Sequence, residues 1–560
     1  MVTRERSHKI LFSFLIFVLF LNLAQSLLTD IIFDEAYYWY YAQNLSWGYF
    51  DHPPLVAFLV NIGLSLFDGE LGVRFMAPFL YCANVLLLWL LIDSEKKHRF
   101  VWLFIAFVSS VGLLTAYGFM MVPDTTLITC ALVFLWGYKR FLIKEDVISI
   151  IATGAGMALV MYAKYHGILI IGFAILSNLA LLKNGKFWFA ILLALLLFTP
   201  HLYWLYEMDF VSLKYHLYGR VNSSWKPRYT LEYPLHCLAV AGLCAPLMYW
   251  ALYALSSKDK FDKALKFICY GIIIFFFISS FNRGTQAQWV VLAVIPLIIF
   301  ALRYAYIHAK FRKWLMGISL FSAVVILFLR FALIFPSISP IEYEAFGNKE
   351  WVAQLKSKVG DRPVVFHNSY RDASMYAFYS GSTVFSSNDI IARQNQFDID
   401  SSEFKVRNKE VAYISGTMEY KLDSVIKLIR PFGNHYMRGH IIDTFTSYRK
   451  MELDIDKDQF QTEIPRNFTA ELSNPYSDSI NVSKLKFEGV SMNSHKAIIK
   501  IYPLTTDLEK DTYIGSNQRI KLNFKIPDTV ELPESSKFRA GILEYGVHPG
   551  FQGEIIEIED

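Results

Sequence analysis

Residues 10–28, ILFSFLIFVLFLNLAQSLL, form an apolar run without a charged side chain. About 20 such residues, rising about 1.5 Å each, cross a hydrocarbon layer of about 30 Å. The chain has about eleven predominantly apolar runs before Pro336, some of which include one or two charged residues: 10–28, 72–92, 100–118, 126–142, 147–163, 167–182, 187–204, 236–255, 264–281, 288–306 and 314–336. Shorter apolar stretches at 55–67 and 205–218 fit re-entrant or interfacial segments. The pattern predicts a polytopic α-helical membrane protein with about 11–13 spans.

The composition points the same way. Of 560 residues, 54% are hydrophobic and only 18% are charged, whereas soluble domains are about 45–50% apolar and about 25% charged. A net charge of +5 is too small to indicate a nucleic-acid partner. The five cysteines match neither zinc-site nor redox-motif spacing and are expected to be buried apolar side chains. They are Cys82, Cys130, Cys237, Cys244 and Cys269.

Basic residues predict the orientation, because inner loops carry an excess of Lys and Arg. With the N-terminus inside, alternate loops hold about nineteen basic residues. The opposite loops hold about six, and the long loop 29–71 holds none. An odd number of spans then places everything after Pro336 outside. We expect the first run to be a retained anchor, although Ala24-Gln25-Ser26 loosely resembles a signal-peptide cleavage site.

The domain organisation follows from a change in composition after Pro336. Residues 1–340 are predicted to form the transmembrane domain, 341–445 an α/β domain and 446–560 a β-rich domain that resembles a sandwich. Helices are expected at 349–359 and 370–379, and strands at 363–367 and 383–386. Farther along, 485–487, 496–502 and 519–526 alternate like strands.

The first outer loop holds the most informative segment, FDEAYYWYYAQNLSWGYFDHPP at residues 33–54. If 34–43 are helical, Asp34, Tyr37, Tyr38 and Tyr41 share one face. An aromatic amphipathic helix would lie in the membrane interface and hold a carboxylate where headgroups meet water. The alternative is an ordinary interfacial helix whose Asp34 caps it or faces water.

Two further acidic positions lie on the same predicted face. Asp51 and His52 precede Pro53 and Pro54, which fix the backbone and can hold both side chains in place. Asp124 follows Pro123 in the next outer loop. The alternatives are a plain loop-to-helix connection for the first pair and an N-cap for Asp124.

The few outer cations need a compensating negative charge. They are Lys164, Arg220, Lys226, Arg228 and Arg283. A lipid-linked phosphate would supply that charge through charge-assisted hydrogen bonds, and pairing with acidic residues or anionic lipid headgroups is the alternative. His166 and His216 lie nearby, but isolated histidines are weak metal signals. We assign no metal ligands and no cofactor, and a divalent ion stays an open alternative.

In order and placement, four motifs of this chain resemble those of a known family. They are Phe33-Asp34-Glu35-Ala36-Tyr37-Tyr38, Asp51-His52-Pro53-Pro54-Leu55, Pro123-Asp124 and Lys164-Tyr165. The resemblance is to bacterial members of the dolichyl-phosphate-mannose:protein mannosyltransferase group, whose superfamily includes the aminoarabinose transferases that modify lipid A. It covers roughly residues 1–340. It implies a C-type membrane glycosyltransferase fold and a polyprenyl-phosphate sugar donor used at the exoplasmic face.

The resemblance also implies roles for individual residues. Asp34 is expected to be the catalytic base, Glu35 to support the site and Asp124 to belong to the active cavity. The substrate-binding candidates are Tyr37, Tyr38, Asp51, His52, Lys164, Tyr165, Arg220 and Arg283. Two departures exist: Gln286-Ala287-Gln288-Trp289 stands where many relatives have His or Asn before the Trp, and Asp51 stands where lipid A modifiers often have Glu-Lys. The second departure argues against a lipid A substrate.

The function expected on this basis is an inverting transfer of a hexosyl or pentosyl group to an acceptor hydroxyl. The acceptor is left open among lipid, glycan and protein, and the expected location is a bacterial inner membrane with the C-terminus in the periplasm. A transporter or flippase of lipid-linked sugars is the main alternative, since transporters often have paired halves and spans broken by Gly or Pro. Such proteins place ionisable residues near mid-bilayer, whereas the acidic residues here cluster in outer loops. A membrane-anchored adhesion module would leave the spans unexplained.

Overall fold

The chain folds into two compact units in its computed structural model. The structure describes residues 3–219, 225–416, 426–430, 433, 435–546 and 548–558. The first unit ends at Phe346 and the second begins at Gly347. The predicted domain boundaries at 340 and 445 stay predictions.

The first unit is entirely helical in its regular structure. Its α-helices are α1 (Arg4–Leu28), α2 (Phe33–Ala42), α3 (Leu55–Leu64), α4 (Gly69–Arg74), α5 (Met76–Leu91), α6 (Lys96–Arg99), α7 (Val101–Ser109), α8 (Gly112–Ala116), α9 (Pro123–Ile143), α10 (Val147–Ala163), α11 (Ile168–Leu176), α12 (Gly185–Glu207), α13 (Val211–Lys214), α14 (Pro227–Ala241), α15 (Ala245–Ala254), α16 (Lys260–Ser279), α17 (Val294–Ile307) and α18 (Ala309–Ile334).

Seven helical segments in the described ranges are long and apolar enough to cross a membrane. They are Arg4–Leu28, Gly69–Leu91, Pro123–Ile143, Gly185–Glu207, Pro227–Ala254, Ala287–Ile307 and Ala309–Ile334. The other predicted spans are also helical but shorter, interrupted or more charged. For example, the run at 100–118 is divided between α7 and α8, and the run at 147–163 is the 17-residue α10. The polytopic helical prediction is confirmed.

Large apolar side chains cover the outside of these helices. Phe12, Phe17 and Phe20 of α1 are about two-thirds exposed. In water such a surface would be costly, at about 25 cal/mol for each Å² of apolar area. A lipid solvent removes that cost, and it requires the hydrogen bonds of the backbone to be satisfied within helices.

Helices α9 and α10 form a tightly packed antiparallel hairpin. A Cβ atom at Gly156 would lie 2.7 Å from the Cα atom of Phe134, and one at Gly137 would lie 2.7 Å from the carbonyl carbon of Ala152. Small residues allow such close approach between helices in membranes. The hairpin brings the first turn of α9 beside the last turn of α10, which positions Asp124 near Lys164.

The second unit begins with a five-stranded mixed sheet and four helices. The helices are α19 (Asn348–Val359), α20 (Tyr370–Ser380), α21 (Gln396–Ile399) and α22 (Ser402–Val406). The strands are β1 (Val364–His367), β2 (Val384–Ser387), β3 (Val411–Ser415), β4 (Ile426–Arg430) and β5 (His435–Ile442), in the order β2-β1-β3-β5-β4. Strand β1 is parallel to β2 and β3, whereas β5 is antiparallel to β3 and β4. The helices and strands predicted between 349 and 386 are confirmed.

The remainder of the second unit is β-rich. Its strands are β6 (Glu452–Ile455), β7 (Asn467–Ser473), β8 (Ile480–Asn481), β9 (Lys486–Met492), β10 (Ile498–Thr506), β11 (Tyr513–Ile514), β12 (Arg519–Lys525), β13 (Lys537–Leu543) and β14 (Ile556–Glu557). The β-rich prediction is confirmed.

These strands do not form the expected sandwich. Seven make one sheet in the order β14-β13-β9-β10-β12-β7-β6, and β8 pairs with β11. Residues 552–553 connect β6 to β13, since the Leu453 N–H donates to the Gln552 carbonyl and the Gly553 N–H donates to that of Ala540. The sheet therefore curls as a half-barrel around its own apolar core. Within the described residues, this core does not need a second large sheet to cover it.

Candidate functional site

The first turn of α2 carries the two acidic residues of the first loop. Asp34 is half-buried, whereas Glu35 is fully buried. The Ile32 N–H donates to Glu35 Oε2 at 3.2 Å, and this hydrogen bond caps the N-terminus of α2. Negative charge is favourable at this end because the helix dipole is positive there.

Glu35 is held by Arg74, the last residue of α4. The guanidinium contacts both carboxylate oxygens, and its Nε lies 2.7 Å from Oε1. Arg74 also donates to the carbonyls of Thr29, at 2.7 Å, and Asp30, at 2.9 Å. The Arg74 side chain is only 1% exposed. One buried ion pair thus fixes the loop before α2, the first turn of α2 and the end of α4.

The loop before α9 meets the same carboxylate. The Met121 N–H donates to Glu35 Oε1 at 2.9 Å. Met121 lies three residues before Asp124, so Glu35 links the Asp34 segment to the Asp124 segment. These contacts favour a positioning role for Glu35.

Asp124 and Lys164 form a second buried ion pair. The Lys164 Nζ atom lies 2.8 Å from Oδ1 and 2.9 Å from Oδ2 of Asp124, and both residues are less than 9% exposed. Asp124 is therefore an ion-pair partner in the first turn of α9, and no side-chain capping hydrogen bond comes from the N-cap residue, Val122.

Asp51 is held by an aromatic group that starts on α2. The Tyr41 hydroxyl donates to Asp51 Oδ1, and the Tyr41 ring stacks on Tyr49 at 4.2 Å. Burial raises the pKa of Tyr41 well above its usual value, and the nearby Asp51 carboxylate raises this pKa further. Tyr41 therefore stays protonated and donates to the carboxylate. Tyr37 packs beside it, with the rings 4.6 Å apart.

Two histidines connect this group to the loop after α10. The ring of His52 lies 5.6 Å from Tyr38 and 6.4 Å from His216. His216 Nε2 lies 2.9 Å from the Asp51 carbonyl oxygen. The His216 ring is also 5.4 Å from the ring of Tyr165. Asp51, His52 and Tyr165 therefore belong to one connected cluster.

Tyr165 is fixed from the other side by α12. Its hydroxyl lies 3.0 Å from Nε2 of His201, and Nδ1 of His201 lies 2.6 Å from the Trp47 carbonyl oxygen. Because Nδ1 faces a carbonyl, it carries the proton, so Nε2 accepts from the Tyr165 hydroxyl. This chain of hydrogen bonds joins the loop between α2 and α3 to the residue that follows Lys164.

Arg283 lies beside an aromatic group near the same loop. Its guanidinium lies 5.3 Å from the ring centre of Trp289, and its Nε donates to Ser279 Oγ at 3.0 Å. The Trp289 ring is 5.5 Å from that of His166, the neighbour of Tyr165. Arg283 thus joins the cluster through Trp289 and His166. Arg220 lies outside the described residues.

The structure thus connects most of the predicted site residues at one end of the helical unit. The connected set comprises Glu35, Tyr37, Tyr38, Asp51, His52, Asp124, Lys164, Tyr165 and Arg283, with Asp34 next to Glu35. Arg74 and His201 were not predicted. The sequence offered one signal for Arg74, which is a lone Arg next to an apolar run. It offered no signal that His201 belongs to the site. Within the described ranges, no group of three or more His, Cys, Asp or Glu side chains could hold a metal ion.

A family model and a known protein match this chain in sequence. The family model described as dolichyl-phosphate-mannose-protein mannosyltransferase matches residues 51–204. The lipid A galacturonosyltransferase RgtD of Rhizobium johnstonii is 23% identical over 334 residues, which are 55% of this chain and 67% of that protein. The family match includes Asp51, Asp124 and Lys164 but begins after Asp34.

Solved structures of ArnT from Cupriavidus metallidurans share the fold. The apo structure superposes with a TM-score of 0.53 at 12% identity, and the structure bound to undecaprenyl phosphate with a TM-score of 0.51 at 13% identity. Each covers 76% of this chain and 97% of the ArnT chain. With the motifs that carry Asp34, Asp51 and Asp124, these matches confirm the resemblance: the chain has an ArnT-like fold and is similar to the dolichyl-phosphate-mannose-protein mannosyltransferase family.

Proposed function

We propose that this protein is an inverting glycosyltransferase that moves a sugar from a polyprenyl phosphate to an acceptor hydroxyl. The transfer takes place at the outer face of the membrane that holds the protein. The observation that carries this proposal is the meeting of three outer loops around Glu35 and Lys164. Glu35 contacts Arg74 and the Met121 N–H, and Lys164 contacts Asp124. A half-buried carboxylate, Asp34, lies at the edge of this rigid group.

Asp34 is the proposed catalytic base. An alcohol has a pKa far above 7, so it attacks well only if a carboxylate takes its proton as the new bond forms. The acceptor oxygen bonds to the anomeric carbon while the bond from that carbon to the phosphate oxygen breaks. The electron pair leaves with the phosphate. Direct attack by one nucleophile on the opposite face inverts the anomeric centre.

The leaving phosphate needs cations and no general acid. It already carries negative charge, and the charge it gains can be stabilised by fixed positive groups. Lys164 and Arg283 are the proposed groups, since Asp124 holds the first and Trp289 lies beside the second. Asp124 would also prevent Lys164 from being an uncompensated buried charge before the donor binds.

The relatives suggest which substrates to test first. The ArnT structure bound to undecaprenyl phosphate supports a polyprenyl-phosphate carrier. RgtD is named for transfer of galacturonic acid to lipid A, which makes a hexosyl donor and a membrane glycolipid acceptor the first choices. The sequence departure at Asp51 makes lipid A the acceptor to compare against other glycolipids.

Transfer of a radiolabelled sugar tests the function directly. The purified full-length protein in liposomes should move label from synthetic polyprenyl-phosphate hexose to a glycolipid fraction, with release of unlabelled polyprenyl phosphate. Movement of the intact labelled lipid across the bilayer without loss of the sugar would contradict the proposal and would favour a flippase.

We expect Arg283→Ala to reduce kcat/KM for the donor by about tenfold or more, because charge-assisted hydrogen bonds to phosphate are among the stronger polar contacts. Arg228→Ala is the matched control. Arg228 is an outer arginine that pairs with Glu232 on the surface of α14. Steady-state kinetics with varied donor would separate the two, and equal behaviour of both variants would remove Arg283 from the site.

We also propose that the second unit lies in the periplasm of a bacterial cell whose inner membrane holds the protein. Glu509→Cys in the second unit and Lys258→Cys in a basic loop place single exposed labels on opposite predicted sides. A membrane-impermeant maleimide should label only position 509 in spheroplasts and both positions after lysis. Labelling of position 258 alone in spheroplasts would reverse the proposed orientation.

A further inference from the structure

We propose that the first unit binds the phosphate headgroup of an anionic phospholipid in a cavity between α7 and α18, away from the cluster around Glu35 and Lys164. The cavity has a volume of about 450 Å³, within the range of about 300–1,000 Å³ that is typical of small-molecule sites. Its lining includes Arg99, Trp102, Leu103, Arg312, Lys313 and Met316. It lies at the ends of both helices that carry the basic loops.

The charge around this cavity favours an anion. Arg99, Arg312 and Lys313 line it, and the lining contains no acidic side chain. In the part of the chain that the structure describes, none of these three cations forms an ion pair with a carboxylate. The first turns of α7 and α18 also face this region, and helix N-termini are positive.

Two of these cations are held in place by aromatic packing. The Arg312 guanidinium lies 4.3 Å from the ring centre of Phe100, and the Arg99 guanidinium lies 5.4 Å from it. Phe100 in turn stacks on Tyr306 at 5.9 Å. Arg312 donates one N–H to the Ala305 carbonyl and, of its five N–H groups, has others left for a phosphate oxygen.

The remaining lining fits a lipid better than a free anion. Leu103, Met316 and Gly317 supply an apolar side next to the cations. Trp102 is 58% exposed, and exposed Trp residues mark the headgroup level of membranes. Basic pockets between membrane helices on the inner face are where acidic lipid headgroups bind. The cavity therefore combines hydrogen-bond donors for a phosphate with an apolar wall. Trp102 places it at the headgroup level of the membrane.

The test compares two double variants of the full-length protein. Arg99→Gln/Lys313→Gln removes two exposed cations from the cavity, and Lys96→Gln/Lys310→Gln removes two exposed cations from the same basic loops outside its lining. Delipidated protein in detergent is titrated with phosphatidylglycerol, with phosphatidylcholine and with inorganic phosphate. Native mass spectrometry then counts bound lipid.

We expect the wild type and the control to retain phosphatidylglycerol about tenfold better than phosphatidylcholine, and the cavity variant to lose most of this preference. Millimolar inorganic phosphate should not displace the lipid. The proposal is overturned if the cavity variant retains phosphatidylglycerol as well as the control does, or if both lipids bind equally. Displacement by inorganic phosphate would also overturn it, because the site would then bind a free anion.

Discussion

Asp34→Asn is expected to lower the rate of sugar transfer by at least about a hundredfold, because general base catalysis contributes about 10²–10⁴. Asparagine has the same shape as aspartate but cannot take the acceptor's proton. Since the first turn of α2 is held through Glu35 and Arg74, the variant should fold and insert normally. The measurement is single-turnover transfer at saturating donor, with binding of polyprenyl phosphate measured in parallel.

Asp68→Asn is the matched control. Asp68 lies in the same long predicted loop, 29–71, is exposed and forms no side-chain cap on α4. The control should keep wild-type transfer, and Asp34→Asn should keep wild-type donor binding. Substantial turnover by Asp34→Asn would show that another group takes the proton, and loss of donor binding would show that Asp34 acts in binding instead.

The sequence was sufficient for the fold class because membrane spans depend on a local property. A run of about 20 apolar residues identifies a span by itself. Short helices such as α7 and α8 were harder to predict, because a break between two helices within one apolar run leaves the composition of that run unchanged. In the second unit, α19 and β1 followed from periodicity. The sandwich prediction was wrong because the alternation of side chains within a strand is the same whether a sheet faces another sheet or curls around its own core.

The site was predictable to the extent that its residues stand in short motifs. Asp34 and Asp124 could be found in their loops, but their partners come from distant positions. Arg74 is 39 residues from Glu35, and Lys164 is 40 residues from Asp124. These pairings follow from helix packing, such as the glycine contacts between α9 and α10, which the sequence does not specify locally. His201 is part of an apolar span and becomes informative only beside Tyr165.

Arg74→Met should destabilise the first unit by about 3–5 kcal/mol, the usual cost of leaving one member of a buried ion pair alone. Glu35 would stay buried without its guanidinium, and the carbonyls of Thr29 and Asp30 would lose their donor. Unfolding of the purified protein in mixed micelles, followed by tryptophan fluorescence, measures this change. Arg228→Met, which removes an exposed surface pair, should have no measurable effect on the unfolding midpoint.

A double variant distinguishes the ion pair from the individual side chains. Glu35→Gln removes the negative charge but keeps an acceptor for the Met121 N–H, so Glu35→Gln/Arg74→Met leaves no uncompensated charge. We expect this double variant to be more stable than the sum of the two single changes implies, since paired removal of buried charges is often nearly neutral. Additive losses would show that Arg74 acts through the carbonyls of Thr29 and Asp30 alone. The transfer rate of the double variant should still fall, with unchanged KM for the donor. The reason is that the first turn of α2 would no longer hold Asp34 in position for the acceptor.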